Sequence, residues 1–238
     1  MPLDADIAAQ LASVRGRIAL AAERARRSPA EIQLIAVSKT FEVPFVRAAA
    51  SAGQLDFGEN RVQEGLDKIA ALSTLDLNWH LIGHLQTNKA KKAAAAFTWI
   101  HSVDRVDLLR KLDQGAEESG TRPRVLVQVD LAGEATKHGA GEGAVADLVS
   151  AALEARAVDL RGLMIVPPLP TVPEDSRPWF RRLRELRDRL VDRGLPGERL
   201  KELSMGMSQD FEVAIEEGAT MVRVGTAIFG RRPAPASA

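Results

Sequence analysis

The sequence contains no cysteine and no tyrosine. Without cysteine there is no disulfide framework, no thiolate metal site and no cysteine nucleophile. Nor is there an excess of charge: Lys+Arg and Asp+Glu both number 32, for a formal net charge of zero. That argues against nucleic acid as the main partner, because phosphate backbones call for a basic surplus. No apolar run approaches the roughly 18 residues that a membrane-spanning helix requires. The opening MPLDADIAAQ is acidic and lacks the apolar core of a signal peptide. A cytoplasmic location and no membrane association are therefore expected. Neither GxGxxG nor GxxxxGKS/T follows any apolar run, which weakens a dinucleotide or P-loop reading. What is present is ordinary for a globular protein: 238 residues, 45% hydrophobic and 27% charged. A single α/β barrel commonly has about this length.

Residues 3–27 carry Leu3, Ile7, Leu11, Val14, Ile18 and Leu20 at near-helical spacing, which predicts an amphipathic helix. Ser28, Pro29 and Glu31 form a capping box around a short helical turn. Compact runs rich in Val, Ile and Leu follow at 33–38, 54–57, 79–82, 98–102, 124–130, 160–166, 200–204 and 220–224. Each gives way to a helical pattern or a polar turn. Near-continuous apolar strands suit a parallel sheet covered on both faces. Eight β-α alternations predict a (β/α)8 TIM barrel of the α/β class with an extra N-terminal helix; an open doubly wound sheet competes. The expected organisation is one barrel domain over 1–230, flanked by the helix at 1–27, with a loose tail at 231–238. KAKK at 89–92 and the Arg-rich stretch 177–193 read as solvated helix faces.

Functional groups in such a barrel gather where the strands end. Lys39 ends the first apolar run; with its stem buried, its amine becomes the better nucleophile and can form a Schiff base with a carbonyl compound. SMGMSQD (204–210) and VRVGT (222–226) put small hydroxyls and glycines just before helices, a pattern that binds anions. A phosphate site after the last two strands recurs in these barrels. Lysine and phosphate site together suggest a phosphorylated carbonyl compound. Arg223 shares a strand face with Gly225 and needs an acceptor, for which Glu59 and Asp210 are the candidates. In FGENRVQE (57–64), Phe57 and Gly58 read as a strand end, and Glu59 and Asn60 as the opening of a helix. His80 and His84 are four apart on a strand with no third ligand apparent, so no metal site is expected.

The segments AVSK (36–39), FGENRVQE (57–64), WHLIGHLQTNK (79–89), IHSVDR (100–105), LRGLM (160–164), LSMGMSQDFEVAI (203–215) and MVRVGTAIFG (221–230) resemble the pyridoxal 5′-phosphate (PLP) homeostasis proteins, also called the proline synthase co-transcribed family. The likeness runs from about Ile32 to Gly230 with motifs in the same order. It implies the barrel of fold-type III PLP enzymes, like the N-terminal domain of alanine racemase. It makes Lys39 the Schiff-base lysine, with PLP held as a covalent aldimine. Ser208, Gly225 and Thr226 become the phosphate cup, lined by Ser204, Met205 and Gly206. Arg223 becomes the partner of the pyridine nitrogen, and Asn60, His84 and Met164 lie about the cofactor. Lys137 is either a second, weaker PLP amine or a solvated charge.

Alanine racemase also carries an arginine at the pyridine nitrogen, but takes its second catalytic base, a tyrosine, from a β domain. This chain has no tyrosine, and it ends too soon after the barrel for that domain to be expected. The resemblance therefore implies a PLP buffer or carrier with no catalytic residues, handing PLP to apo PLP-dependent enzymes; no large apolar face is evident in the sequence, and a monomer is expected. A weak amino-acid racemase with His84 as second acid/base, a Schiff-base aldolase and a scaffold barrel remain as alternatives.

Overall fold

The structure, a computed structural model, describes residues 3–133 and 138–231. The apolar runs form β1 (Gln33–Val37), β2 (Asp56–Glu59), β3 (Asn78–Leu81), β4 (Trp99–Val103), β5 (Arg124–Asp130), β7 (Asp159–Ile165), β8 (Glu202–Ser204) and β9 (Met221–Val224). All pair in parallel with their neighbours in that order. β9 returns to β1, which closes the ring and rules out the open sheet. The two-residue β6 (Ala140–Gly141) pairs with β5 outside that ring. Helices α2 (Val43–Ser51), α3 (Val62–Ala71), α4 (Ala90–Ala96), α5 (Val106–Ser119), α6 (Val145–Glu154), α7 (Arg177–Asp192), α8 (Phe211–Glu216) and α9 (Thr226–Phe229) follow the strands.

Strand alternation divides the apolar side chains into two cores. Leu34, Ala36, Phe57, Leu81, Ile100, Val127, Leu203 and Val222 join the helix stripes, such as Leu108–Leu112 of α5 and Phe180–Leu190 of α7, in the outer core. Ile35, Trp99, Leu126, Met164 and Met221 meet inside the barrel. Gln33, Asp56, His80, His101, Ser204 and Arg223 add polar groups to the interior.

Helix α1 (Leu3–Arg24) buries Ile7, Leu11, Val14 and Ile18 against α2, α8 and α9. Arg17 and Arg24 pair with Glu212 and Glu216, and Arg27 Nη1 donates to the carbonyls of Ile215 and Ala219. The helix stops short of residue 27, and the following turn places Arg26 at φ +55°. The capping box forms as expected around a 3-10 turn, Pro29–Glu31.

Two expectations need correction. The second strand lies two residues later than 54–57, because Gln54 serves the fold with its side chain, donating to the carbonyls of Leu34 and Asp56. The ladder with β3 continues through Glu59↔Leu81, so Glu59 belongs to the strand and the helix opens only at Val62. The Arg-rich α7 is also more than a solvated face. Arg177, Arg181 and Arg184 converge on Glu217, whose side chain is 5% exposed, and lock α7 to the end of α8.

Candidate functional site

At the C-terminal end of the barrel lies a cavity of about 530 Å³ whose wall includes Lys39, Phe41, Ile82, Ser208, Arg223, Gly225 and Thr226. Lys39 continues the inward series Gln33, Ile35, Val37, and its half-buried side chain lines the cavity. The next residue, Thr40, takes the left-handed conformation, φ +69°, an unfavourable one for a β-branched residue. Surrounding groups hold it there. The Thr40 amide donates to Glu64 Oε1. Ser38 Oγ donates to Glu59 Oε1 at 2.6 Å. Lys68 Nζ donates to the Ser38 carbonyl, Glu59 Oε1 and Glu64 Oε1 at 2.7, 2.7 and 2.8 Å. Glu59 is fully buried, its Oε2 has no hydrogen-bond partner, and burial raises its pKa against the opposing pull of Lys68. FGENRVQE thus braces the lysine turn, and Glu59 is not the acceptor for Arg223.

Arg223 pairs in register with Ile35 and is 4% exposed. Its Nη1 donates to Ser204 Oγ at 2.6 Å and its Nη2 to the Ile165 carbonyl at 2.8 Å. Neither expected carboxylate takes it. Asp210 instead accepts from the Met207 amide and from Ser176 Oγ, both at 2.7 Å. Burial pushes the Arg223 pKa down to about 10, with Asp210 opposing, so the guanidinium stays charged at neutral pH.

Ser208 Oγ accepts from the amides of Gly225 (3.2 Å) and Ala227 (3.5 Å), leaving its own proton to be donated. A Cβ on Gly225 would stand 3.1 Å from the Val37 carbonyl oxygen, so a glycine lets this turn close against β1. Hydroxyls and backbone amides here make an anion-binding set.

Behind Arg223 a polar chain crosses the barrel. Ser204 Oγ lies 2.9 Å from His101 Nδ1, His101 Nε2 3.0 Å from His80 Nδ1, and His80 Nε2 3.1 Å from Asp56 Oδ1. Both imidazoles are fully buried, and burial lowers both pKa values, that of His101 most.

Five of the eleven residues expected at the site, Lys39, Ser208, Arg223, Gly225 and Thr226, share the cavity wall. Ser204 lies behind Arg223. Met164 belongs to the inner apolar cluster and Met205 to the outer core. Gly206, at φ +91°, packs against α8, where a Cβ would stand 2.5 Å from Ala214 Cβ, and its carbonyl accepts from the Arg223 amide. Asn60 touches the backbone of Gly83. His84 stacks on His138 at 3.6 Å, outside the cavity wall. Lys137 lies outside the described residues. Sequence reasoning missed Lys68, whose one signal was its position four after Glu64, and the buried roles of His80 and Asp56.

The family model for the alanine racemase N-terminal domain matches residues 10–233, which defines the class of barrel. A protein of Pseudomonas aeruginosa called "Pyridoxal phosphate homeostasis protein" is 46% identical over 234 residues, 97% of this chain and 99% of its own. One of the same name from Aquifex aeolicus is 46% identical over 94% of this chain and 97% of its own. PipY of Synechococcus elongatus, solved with PLP bound, superposes with a TM-score of 0.83 at 42% identity, over 94% of this chain and all of that one. The chain belongs to the pyridoxal phosphate homeostasis protein family.

Proposed function

We propose that this protein binds PLP in the barrel-end cavity and serves PLP homeostasis, buffering the cofactor or passing it to apo-enzymes without robust catalysis of its own. One observation carries the reading. A lysine amine, a buried guanidinium and a hydroxyl-amide anion set, Lys39, Arg223 and Ser208–Gly225–Thr226, line a single cavity. Those groups fit an aldehyde, a ring nitrogen and a phosphate, in that order. Relatives named for PLP homeostasis, and a PLP-bound structure of PipY, support it.

In this reading the Lys39 amine would hold the cofactor at its aldehyde, the carbonyl group with which a lysine can form a Schiff base. When bound, PLP supplies an electron sink whose strength depends on protonation of its ring nitrogen. Arg223 can only donate to that nitrogen, and at neutral pH it keeps its own proton. Ser208, Thr226 and the Gly225 turn hold the phosphate, and the braced Thr40 turn aims the lysine. A racemase would need a second base across the cofactor. There is no tyrosine to provide it, and His84 stands outside the cavity wall. We assign the protein to the cytoplasm as a monomer; among the described residues no helix is long and apolar enough to cross a membrane.

The test is the visible spectrum of the purified protein, with borohydride reduction and peptide mapping. A yellow band that reduces onto Lys39 and is missing from Lys39→Ala is the expected result. A colourless protein that takes up no added PLP overturns the reading.

A further inference from the structure

The chain has only four histidines, and the barrel interior takes two, His80 and His101, out of contact with solvent. The other two meet on the C-terminal rim. His84 follows β3, Asp104 follows β4, and His138 precedes β6. One ligand atom from each lies within 4.8 Å of the other two, a grouping found among the described residues only here. His84 Nδ1 is 3.7 Å from Asp104 Oδ2, and the two imidazoles stack 3.6 Å apart at 13°. The HxxxH spacing of 80–84 therefore misleads: its histidines part, and His84 finds partners 20 and more residues away.

We infer that His84, Asp104 and His138 form a binding site for a divalent transition-metal ion of the zinc class. Two imidazoles and one carboxylate are a donor set suited to such ions, with a coordination position left open. Ligand bonds of about 2.0–2.2 Å bring donors to roughly 3–4 Å from one another, so the donor atoms are already near that spacing, and binding turns the two stacked rings out of parallel so that both nitrogens face the ion.

The surroundings set the ligands in advance. Arg105 Nη1 holds Asp104 Oδ1 at 2.7 Å and is itself placed by Thr87 Oγ1, which leaves Oδ2 turned to the histidines. Such outer contacts orient ligands in metal sites. Gly83 lets the chain before His84 press on β2, since a Cβ there would stand 2.3 Å from the Asn60 carbonyl oxygen. Gly139, at φ +146°, does the same after His138, where a Cβ would stand 2.6 Å from the Asp130 amide. Gln128 Nε2 donates to the His138 carbonyl at 2.6 Å. Burial and the adjoining His138 both disfavour the charged form of the His84 ring. A bound ion ties the segment at His138 to the turns after β3 and β4.

The experiment is calorimetric titration of the tag-free, EDTA-stripped protein with Zn²⁺, repeated with Co²⁺ to read d–d absorption. Expected are one ion per chain, a cobalt spectrum of low-symmetry nitrogen and oxygen ligation, and at least a roughly 10-fold loss of affinity in both His84→Ala and His138→Ala. The variants change exposed side chains, and matching circular dichroism melts establish that they fold. Absence of stoichiometric uptake by the wild type, or uptake unaltered in both variants, overturns the site. Neither readout involves PLP.

Discussion

His80 and His101 meet ring to ring inside the barrel, sharing one hydrogen bond of 3.0 Å between Nδ1 and Nε2. Its direction follows from the end of the chain to which it belongs. The Asp56 carboxylate can only accept, which puts the proton of a neutral His80 on Nε2 and leaves Nδ1 to accept; at the other end Ser204 Oγ accepts from Arg223 and gives its own proton to His101 Nδ1. His101 then donates from Nε2 to His80, and His80 donates from Nε2 to Asp56. In this arrangement both neutral rings carry the proton on Nε2, and every member of the chain from Arg223 to Asp56 has a partner.

Replacing His101 by leucine leaves the Ser204 hydroxyl and His80 Nδ1 buried without that partner. Each such group costs about 1–3 kcal/mol. His101→Leu is expected to lower stability by about 2–4 kcal/mol in urea unfolding, with Arg223 less firmly held.

The same pair sets a pH dependence. Native His80 and His101 titrate below the ordinary value near 6.5 because burial disfavours their charged forms. As pH falls through about 6.5, the unfolded chain takes up protons that the native chain refuses, so stability rises with pH and is lost on acidification. The limiting slope is about 1.4 kcal/mol per pH unit for each histidine. Urea titrations from about pH 7.5 to 5.5 should give a shallower slope in His101→Leu than in the wild type; equal slopes would refute the assignment.

Among the described residues Lys68 is the one cation paired with the buried Glu59 carboxylate, 2.7 Å away. Its own side chain is 6% exposed. Lys68→Met strands that charge at a cost of about 3–5 kcal/mol. Adding Glu59→Gln should recover more than half the loss. A double variant as unstable as Lys68→Met would mean that the lysine acts through Glu64 or the Ser38 carbonyl instead.

Ser208→Ala removes one hydroxyl from the anion set and touches no core residue. PLP affinity, read by absorbance titration, should fall about 10-fold, or about 1.4 kcal/mol. The melting temperature of the PLP-free protein should fall only slightly, because the Gly225 and Ala227 amides lose the hydroxyl that accepts from them.

The barrel was legible because each apolar run is short, β-rich and followed by a helical stretch, a rhythm that the strands obey to within two residues. Lys39, Ser208, Gly225 and Thr226 were legible from their places after strands, and Arg223 from the strand face it shares with Gly225. The rest depended on register. Glu64 and Lys68 look alike in sequence whether their helix face is exposed or, as here, turned toward the lysine turn. His80 and His101 are 21 residues apart, and only the pairing of β2, β3 and β4 sets them edge to edge between Asp56 and Ser204. The acceptors of Arg223, a hydroxyl and a backbone carbonyl, carry no charge for sequence to match.

Helix α1 clasps α8 through Arg17 and Glu212, which lie 195 residues apart. During synthesis, when chains emerge from the N-terminal end, α1 can therefore meet α2 early but must wait for α8 and α9 to complete the cover of Ile7, Leu11, Val14 and Ile18. The cavity obeys the same clock, since Lys39 is made early, whereas Ser208, Arg223 and Thr226 come in the final fifth. A nascent chain thus carries the lysine long before the opposite wall of its cavity exists, and the cavity is completed only with the last strand.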